Sequence, residues 1–316
     1  MNTVADASFC ASHLIEDDFM PAPTAAAMRA AIEDHLGDPY RHTAESRMAW
    51  NYFYVPGLYS YLRASPERVI GAELANAFQD RLRCWSAVNF GLAPCASPYL
   101  GLYIHGCRQN EHNDAANGRF GFVYSLTKNE RRTIGGETLI WREDALAPRN
   151  MRHPKFGDDF YHAIVPQFNR LLLFDDRMPH AVRMVEGNMD PLEGRIVLHG
   201  HLIEAGPSVD GPLPLGSVVD IAKSMAVQFF AERGIKAAAY HGLAIVRLTV
   251  SPKGRVMDCR LLVNRIKQLV GGESTVQSVI AELVVRAGSL RFPISAEVSV
   301  VTIPFQFGDQ PGYALA

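Results

Sequence analysis

The chain has 316 residues, room for two domains, with 48% apolar and 20% charged side chains, the balance of an ordinary globular protein. Its 31 basic and 33 acidic residues leave a net charge of −2, which gives no electrostatic sign of a nucleic-acid or anionic-membrane partner. Five cysteines (Cys10, Cys84, Cys95, Cys107 and Cys259) with no Cys-x-x-Cys pair predict reduced thiols and a cytoplasmic setting, not a disulfide framework. No apolar run approaches the roughly 20 residues of a membrane helix, and the first residues lack the basic and apolar regions of a secretory signal.

In chain order, Leu14–Pro21 reads as a strand and turn. Thr24 is placed to cap a helix carrying Met28, Ile32 and Leu36, ended by Gly37 and Pro39. Residues 40–65 are rich in aromatics, read as cover for a sheet or as a pocket wall, and 66–90 reads as helix. From Ser97 the pattern becomes short strands. Tyr99–His105 and the His112–Asp114 stretch come first. Asn117-Gly118 is a turn signal, followed by Phe120–Leu126. Gly135-Gly136 turns into Glu137–Trp141, and residues 142–168 read as irregular. Leu171–Phe174, His180–Val185 and Arg195–Ile203 close a set of at least seven strands, the count and spacing of a jelly roll. Residues 206–216 hold six Gly or Pro and read as a linker. Beyond it lie a helix (218–233), two strands (243–251 and 255–263) about a Pro252-Lys-Gly254 turn, a helix (273–288) and a strand (297–307). The expected division is residues 1–205, a linker 206–216, and a small α+β domain 217–316.

Chemistry concentrates in four residues. His112 and Asp114 are two apart, so on a strand their side chains share a face. His180 opens a strand after a buried one, and Arg195 opens the strand after that. Two histidines and one carboxylate with open coordination positions make the facial triad of non-haem Fe(II) oxygenases. Arg195 then anchors a co-substrate carboxylate through its bidentate fork. Arg183 is its rival but should face the other way, three residues after His180. His199 and His201 share the face of Arg195 if the strand is regular, as core histidines or as contacts to substrate near the iron. His105, His153, His162 and His241 read as structural.

These residues carry a resemblance. With Ile15-Glu-Asp-Asp-Phe-Met-Pro21, His112-x-Asp114, Gly135-Gly-Glu-Thr138, Asn169-Arg-Leu-Leu-Leu-Phe174, His180 and Arg195, residues 12–204 resemble the Fe(II)- and 2-oxoglutarate-dependent oxygenases, in the prolyl-hydroxylase-like branch. The resemblance implies a double-stranded β-helix with flanking N-terminal helices. It implies His112, Asp114 and His180 as iron ligands, Arg195 on the distal carboxylate of 2-oxoglutarate, and O2 as the other co-substrate. It also places Tyr103 on the co-substrate, with Tyr124 and Ser125 as competitors for that role. The spacing from His180 to Arg195 is longer than usual in this branch, and Glu186–Gly194 reads as the enlarged loop. Halogenating relatives lack the carboxylate that Asp114 supplies, so hydroxylation of an amino-acid, peptide or natural-product C–H bond is the expected outcome. Desaturation or cyclisation by the same triad is the alternative.

Residues 240–308 resemble the C-terminal domain of TonB-type proteins through Ala244-Ile-Val-Arg-Leu-Thr-Val-Ser-Pro-Lys-Gly-Arg-Val256, Arg291-Phe-Pro293 and Val298–Phe307. The implied role is a docking or homodimerisation module. A metal-free barrel joined to such a module is the competing reading from outside enzymology. A zinc hydrolase is disfavoured because no base stands beside the triad and Arg195 would have no task.

Overall fold

The structure is a computed structural model of the chain; it describes residues 12–51, 57–143, 160–233, 239–269 and 275–308. It divides into two compact units, one built from residues 12–81 and 94–202, the other from 82–93 and 203–308.

The first unit opens with β1 (His13–Glu16) and α1 (Ala22–Gly37). The helix starts ahead of the expected Thr24 cap, because Pro23 fits its first turn, where a missing N–H goes unneeded. The aromatic stretch gives β2 (Ala49–Trp50), β3 (Tyr59–Ser60) and β4 (Leu62–Ala64); Tyr52, Phe53 and Tyr54 lie outside the described residues. The expected single helix is two, α2 (Pro66–Val69) and α3 (Ala72–Phe90), broken where Gly71 takes φ +82°. There follow β5 (Leu92–Pro94), β6 (Tyr99–Tyr103), β7 (Arg108–His112), β8 (Phe120–Ser125) and β9 (Thr138–Trp141). The last strands are β10 (Tyr161–Ile164), β11 (Leu171–Asp175), β12 (His180–Val182) and β13 (Arg195–Glu204). β10 lies in the stretch read as irregular and pairs with β9. Its Tyr-His-Ala-Ile pattern is too short to show a period. Residues 144–159, the rest of that stretch and the site of His153, lie outside the described residues.

These strands make two antiparallel sheets, ordered β1-β11-β8-β13-β6-β4-β2 and β10-β9-β12-β7-β3. From β6 to β9, and again from β10 to β13, each successive strand crosses to the other sheet. The inner faces therefore share a core, to which the first sheet gives Tyr103 and Val197 and the second Val182. Ile140 and Ile164 meet Leu172 and Phe174 in the same way. Helices cover the outer face of the first sheet. The Phe78 ring of α3 stacks 4.9 Å from Tyr124. Arg29 of α1, buried, donates to the Leu126 and Leu192 carbonyls at 2.9 and 2.7 Å.

Gly135 has φ +79°, and a Cβ there would overlap the Met184 carbonyl. It turns the chain into β9. Gly135→Ala is expected to cost about 2 kcal/mol or more, read as a lowered denaturant midpoint; an unchanged midpoint would contradict the close approach.

The second unit takes the last turns of α3 together with β14 (Ser208–Asp210), α4 (Leu215–Arg233), β15 (Tyr240–Val250), β16 (Val256–Asn264), β17 (Lys267–Gln268), α5 (Val276–Gly288) and β18 (Ser299–Phe307). Its antiparallel sheet runs β14-β18-β15-β16, with β17 on β15. The 206–216 stretch read as a linker contains β14, paired to Val300–Thr302; glycine and proline turn the chain on either side while three residues stay free to pair. Val218, Ala222 and Phe229 of α4 and Val279 and Leu283 of α5 pack on Ala244, Val246 and Leu248 of β15. Arg247, also on β15, donates to the Val88 and Asn89 carbonyls at 2.9 and 3.0 Å, satisfying carbonyls that the end of α3 leaves without a helical partner. Among the described residues no helix is long and apolar enough to cross a membrane.

Candidate metal centre

β7 and β12 are neighbours, and His112 and His180 are directly opposed across them, with ring centroids 4.3 Å apart. Asp114 arrives differently from the expected strand parity. β7 ends at His112, and Asp114 lies in the turn that follows, accepting the Asn117 amide at 2.8 Å. Its own amide donates to the Asp176 carbonyl at 2.8 Å. Asn117 Nδ2 donates to Oδ1 at 3.0 Å. That leaves Oδ2 facing the histidines, 3.4 Å from His180 Nε2 and 3.8 Å from His112 Nε2.

Both imidazoles are oriented for the same job. His112 Nδ1 lies 2.7 Å from the Asn110 carbonyl and His180 Nδ1 2.9 Å from that of Met178. A carbonyl only accepts, so each Nδ1 carries the proton and each Nε2 presents its lone pair. The three ligand atoms all lie within 4.8 Å of one another. Ligands at about 2.1 Å from a common ion, set at right angles, lie about 3 Å apart, so small adjustments bring all three into range. Burial, then the neighbouring His180, lowers the His112 pKa. For Asp114, burial pushes upward, but the neighbouring histidines, His180 first, outweigh it and hold the carboxyl below its usual range. Both shifts favour a neutral imidazole and an ionised carboxylate, the forms that bind a metal.

The ligands line a cavity with Tyr103, Thr138, Arg195 and His199. Arg195, 1% exposed, lies over the Tyr103 ring at 4.6 Å and donates from Nη2 to Thr138 Oγ1 at 3.2 Å. Its Nε and Nη1 are buried with no hydrogen-bond partner. Donors of a buried guanidinium left unmade cost free energy, and burial lowers the Arg195 pKa. An anion entering the cavity would meet both open donors. Tyr103 donates to Gln109 Oε1 at 2.8 Å, and burial raises its pKa well above the usual value.

Parity holds along β13: Arg195, His199 and His201 all line the cavity. His201 Nδ1 lies 3.0 Å from the buried Asp176 carboxylate, and Asp114, Asp176 and His201 form a second cluster able to hold a cation. Tyr124 and Ser125 are elsewhere. Tyr124 points to the helices and donates to Asn169 Oδ1 at 2.8 Å; Ser125 Oγ accepts the Thr127 amide at 3.2 Å. Arg183, half exposed, sits 3.7 Å from Glu137 and does not line the cavity. The sequence reading missed Thr138, Gln109 and Asp176. Thr138 ends the Gly135-Gly-Glu-Thr138 run, but its place opposite Val182 on the strand of His180 leaves no signal in the sequence.

No family model matches the chain, and no curated protein does. Similar solved structures include a prolyl hydroxylase in complex with a hypoxia inducible factor oxygen degradation domain peptide fragment from Trichoplax adhaerens, 14% identical, TM-score 0.41, covering 60% of this chain and 82% of that one. A Pseudomonas putida prolyl-4-hydroxylase is 15% identical, TM-score 0.40, covering 60% and 90%. EctD from S. alaskensis with 2-oxoglutarate and 5-hydroxyectoine is 16% identical, TM-score 0.38, covering 64% and 78%. These similarities are distant.

Proposed function

We propose that the first unit is an Fe(II)- and 2-oxoglutarate-dependent oxygenase on a double-stranded β-helix, hydroxylating a C–H bond of an amino acid, peptide or related small molecule. The observation that carries this reading is the pairing, in one cavity, of a His-Asp-His cluster with a buried arginine whose donors are open. A zinc hydrolase would use the first and leave the second without a task.

His112 and His180 would hold the ion through Nε2 and Asp114 through Oδ2, three ligands that leave further positions open. When bound, Fe(II) supplies the oxidative decarboxylation of 2-oxoglutarate to succinate and CO2 with O2, and the attack on the substrate C–H bond. The remaining work belongs to the chain. Asn110 and Met178 hold the imidazole rings at a fixed tautomer. Arg195, aligned by Thr138 and Tyr103, takes the distal carboxylate of the co-substrate through charge-assisted hydrogen bonds. The apolar walls of Val182 and Val197 limit water at the reacting centre.

A screen of amino acids and short peptides tests this reading. The expected result is a product heavier by one oxygen atom, formed only with Fe(II) and 2-oxoglutarate and matched by succinate. Absence of succinate with or without substrate would count against it. For the second unit we propose a docking or pairing module of the TonB C-terminal kind, on the order of its elements; no transport activity is carried over from fold alone.

A further inference from the structure

Four histidines line the metal cavity: His112, His180, His199 and His201. Three have a ring nitrogen engaged. His112 Nδ1 and His180 Nδ1 face the Asn110 and Met178 carbonyls, and His201 Nδ1 faces the Asp176 carboxylate. His199 is the exception. Its Nε2 is buried with no hydrogen-bond partner among the described residues. The ring belongs to neither group of side chains able to hold a cation, so a metal does not account for that nitrogen.

Strand register puts His199 where this matters. Arg195, Val197 and His199 follow one another on the inner face of β13, all three lining the cavity, because alternate residues of a strand share a face. Opposite His199 stand Val123 of β8 and Tyr99 of β6. Arg195 and Asp114 both act electrostatically on the imidazole, so it is within reach of the arginine end and of the metal end. The Tyr61 and Tyr99 rings, 5.9 and 6.0 Å away, pack beside it. Burial, then Arg195, lowers its pKa to about 3, so the ring is neutral near pH 7. A neutral imidazole has one N–H and one lone pair, and leaving a buried ring nitrogen without a partner costs free energy. Arg195 Nε and Nη1 are in the same condition.

We propose that His199 is a second anchor for the co-substrate, donating from Nε2 to the metal-side carboxylate of a 2-oxo acid whose far carboxylate lies on Arg195. This deepens, and rests on, the oxygenase reading of the cavity. The order of side chains along β13 carries it. Arg195, Val197 and His199 present donor, apolar wall and donor, which is the order of carboxylate, methylenes and 2-oxo acid along 2-oxoglutarate. One elongated dianion can therefore meet the open nitrogens of both residues. A neutral N–H also suits a carboxylate whose charge is shared with a metal, since it adds direction without a further cation.

The test is calorimetric titration of the Mn(II)-loaded full chain with 2-oxoglutarate and with 2-oxopentanoate, which keeps the metal-side end and lacks the far carboxylate. Parent protein that binds no 2-oxoglutarate would overturn the oxygenase reading itself. The expected result is that His199→Leu weakens both ligands by a similar factor, about tenfold or more, while Mn(II) binding and the circular dichroism spectrum stay as in the parent. Arg195→Met should weaken 2-oxoglutarate alone. His199→Gln, whose amide can place an N–H near the Nε2 position, should restore part of the loss. If His199→Leu does not fold, His199→Asn replaces it, being polar but too short to reach that position. Unchanged affinity in His199→Leu, a loss confined to 2-oxoglutarate, or equal losses in the Leu and Gln variants would overturn the His199 contact and leave the oxygenase reading standing.

Discussion

His180→Gln should leave the protein unable to retain one Fe(II) per chain and lower iron-dependent succinate formation more than about 100-fold. The reason is local. His180 is 5% exposed, its Nδ1 is held by the Met178 carbonyl, and its Nε2 is 3.4 Å from Asp114, so the ring is fixed with Nε2 toward the carboxylate. Glutamine keeps most of the volume, and the folded chain should survive with an unchanged circular dichroism spectrum. His112→Ala is expected to act the same way. Full iron retention and turnover in either variant, measured on purified protein, would remove the site.

Arg195→Met should raise the 2-oxoglutarate concentration needed for half-maximal turnover roughly 100-fold or more, because two charge-assisted hydrogen bonds are lost. Stability should move the other way. In the absence of co-substrate the buried guanidinium leaves Nε and Nη1 without partners, and replacing a poorly satisfied buried charge with an apolar chain of similar size is often neutral or stabilising. Without 2-oxoglutarate, the variant is therefore expected to unfold at an equal or higher denaturant concentration than the parent. A variant that is strongly destabilised yet keeps its co-substrate requirement would mark Arg195 as a structural residue.

The residues that converge on the cavity were legible in the sequence because each came with company: His112 with Asp114, His180 after a buried strand, Arg195 with His199 and His201 at alternate positions. The path by which Asp114 reaches the histidines was not. It depends on a turn closed by Asn117 and on a backbone bond to Asp176, and long-range bonds of that kind leave no periodic trace. Thr138 and Gln109 were hidden for a related reason, since their roles are set by cross-strand register. Tyr124 and Ser125 were named without knowing which face of β8 packs on α3. β14 was hidden by its own composition: Gly and Pro on both sides read as a linker, although Ser208–Asp210 between them pairs with β18.

A crystal structure of the full chain grown with Mn(II) and 2-oxoglutarate tests the central claim most directly. The expected result is one ion about 2.1 Å from His112 Nε2, His180 Nε2 and an Asp114 oxygen, with a carboxylate of the co-substrate on the Nε and Nη1 of Arg195. An ion held instead by Asp114, Asp176 and His201, or an Arg195 without an anion while 2-oxoglutarate is saturating, would contradict it.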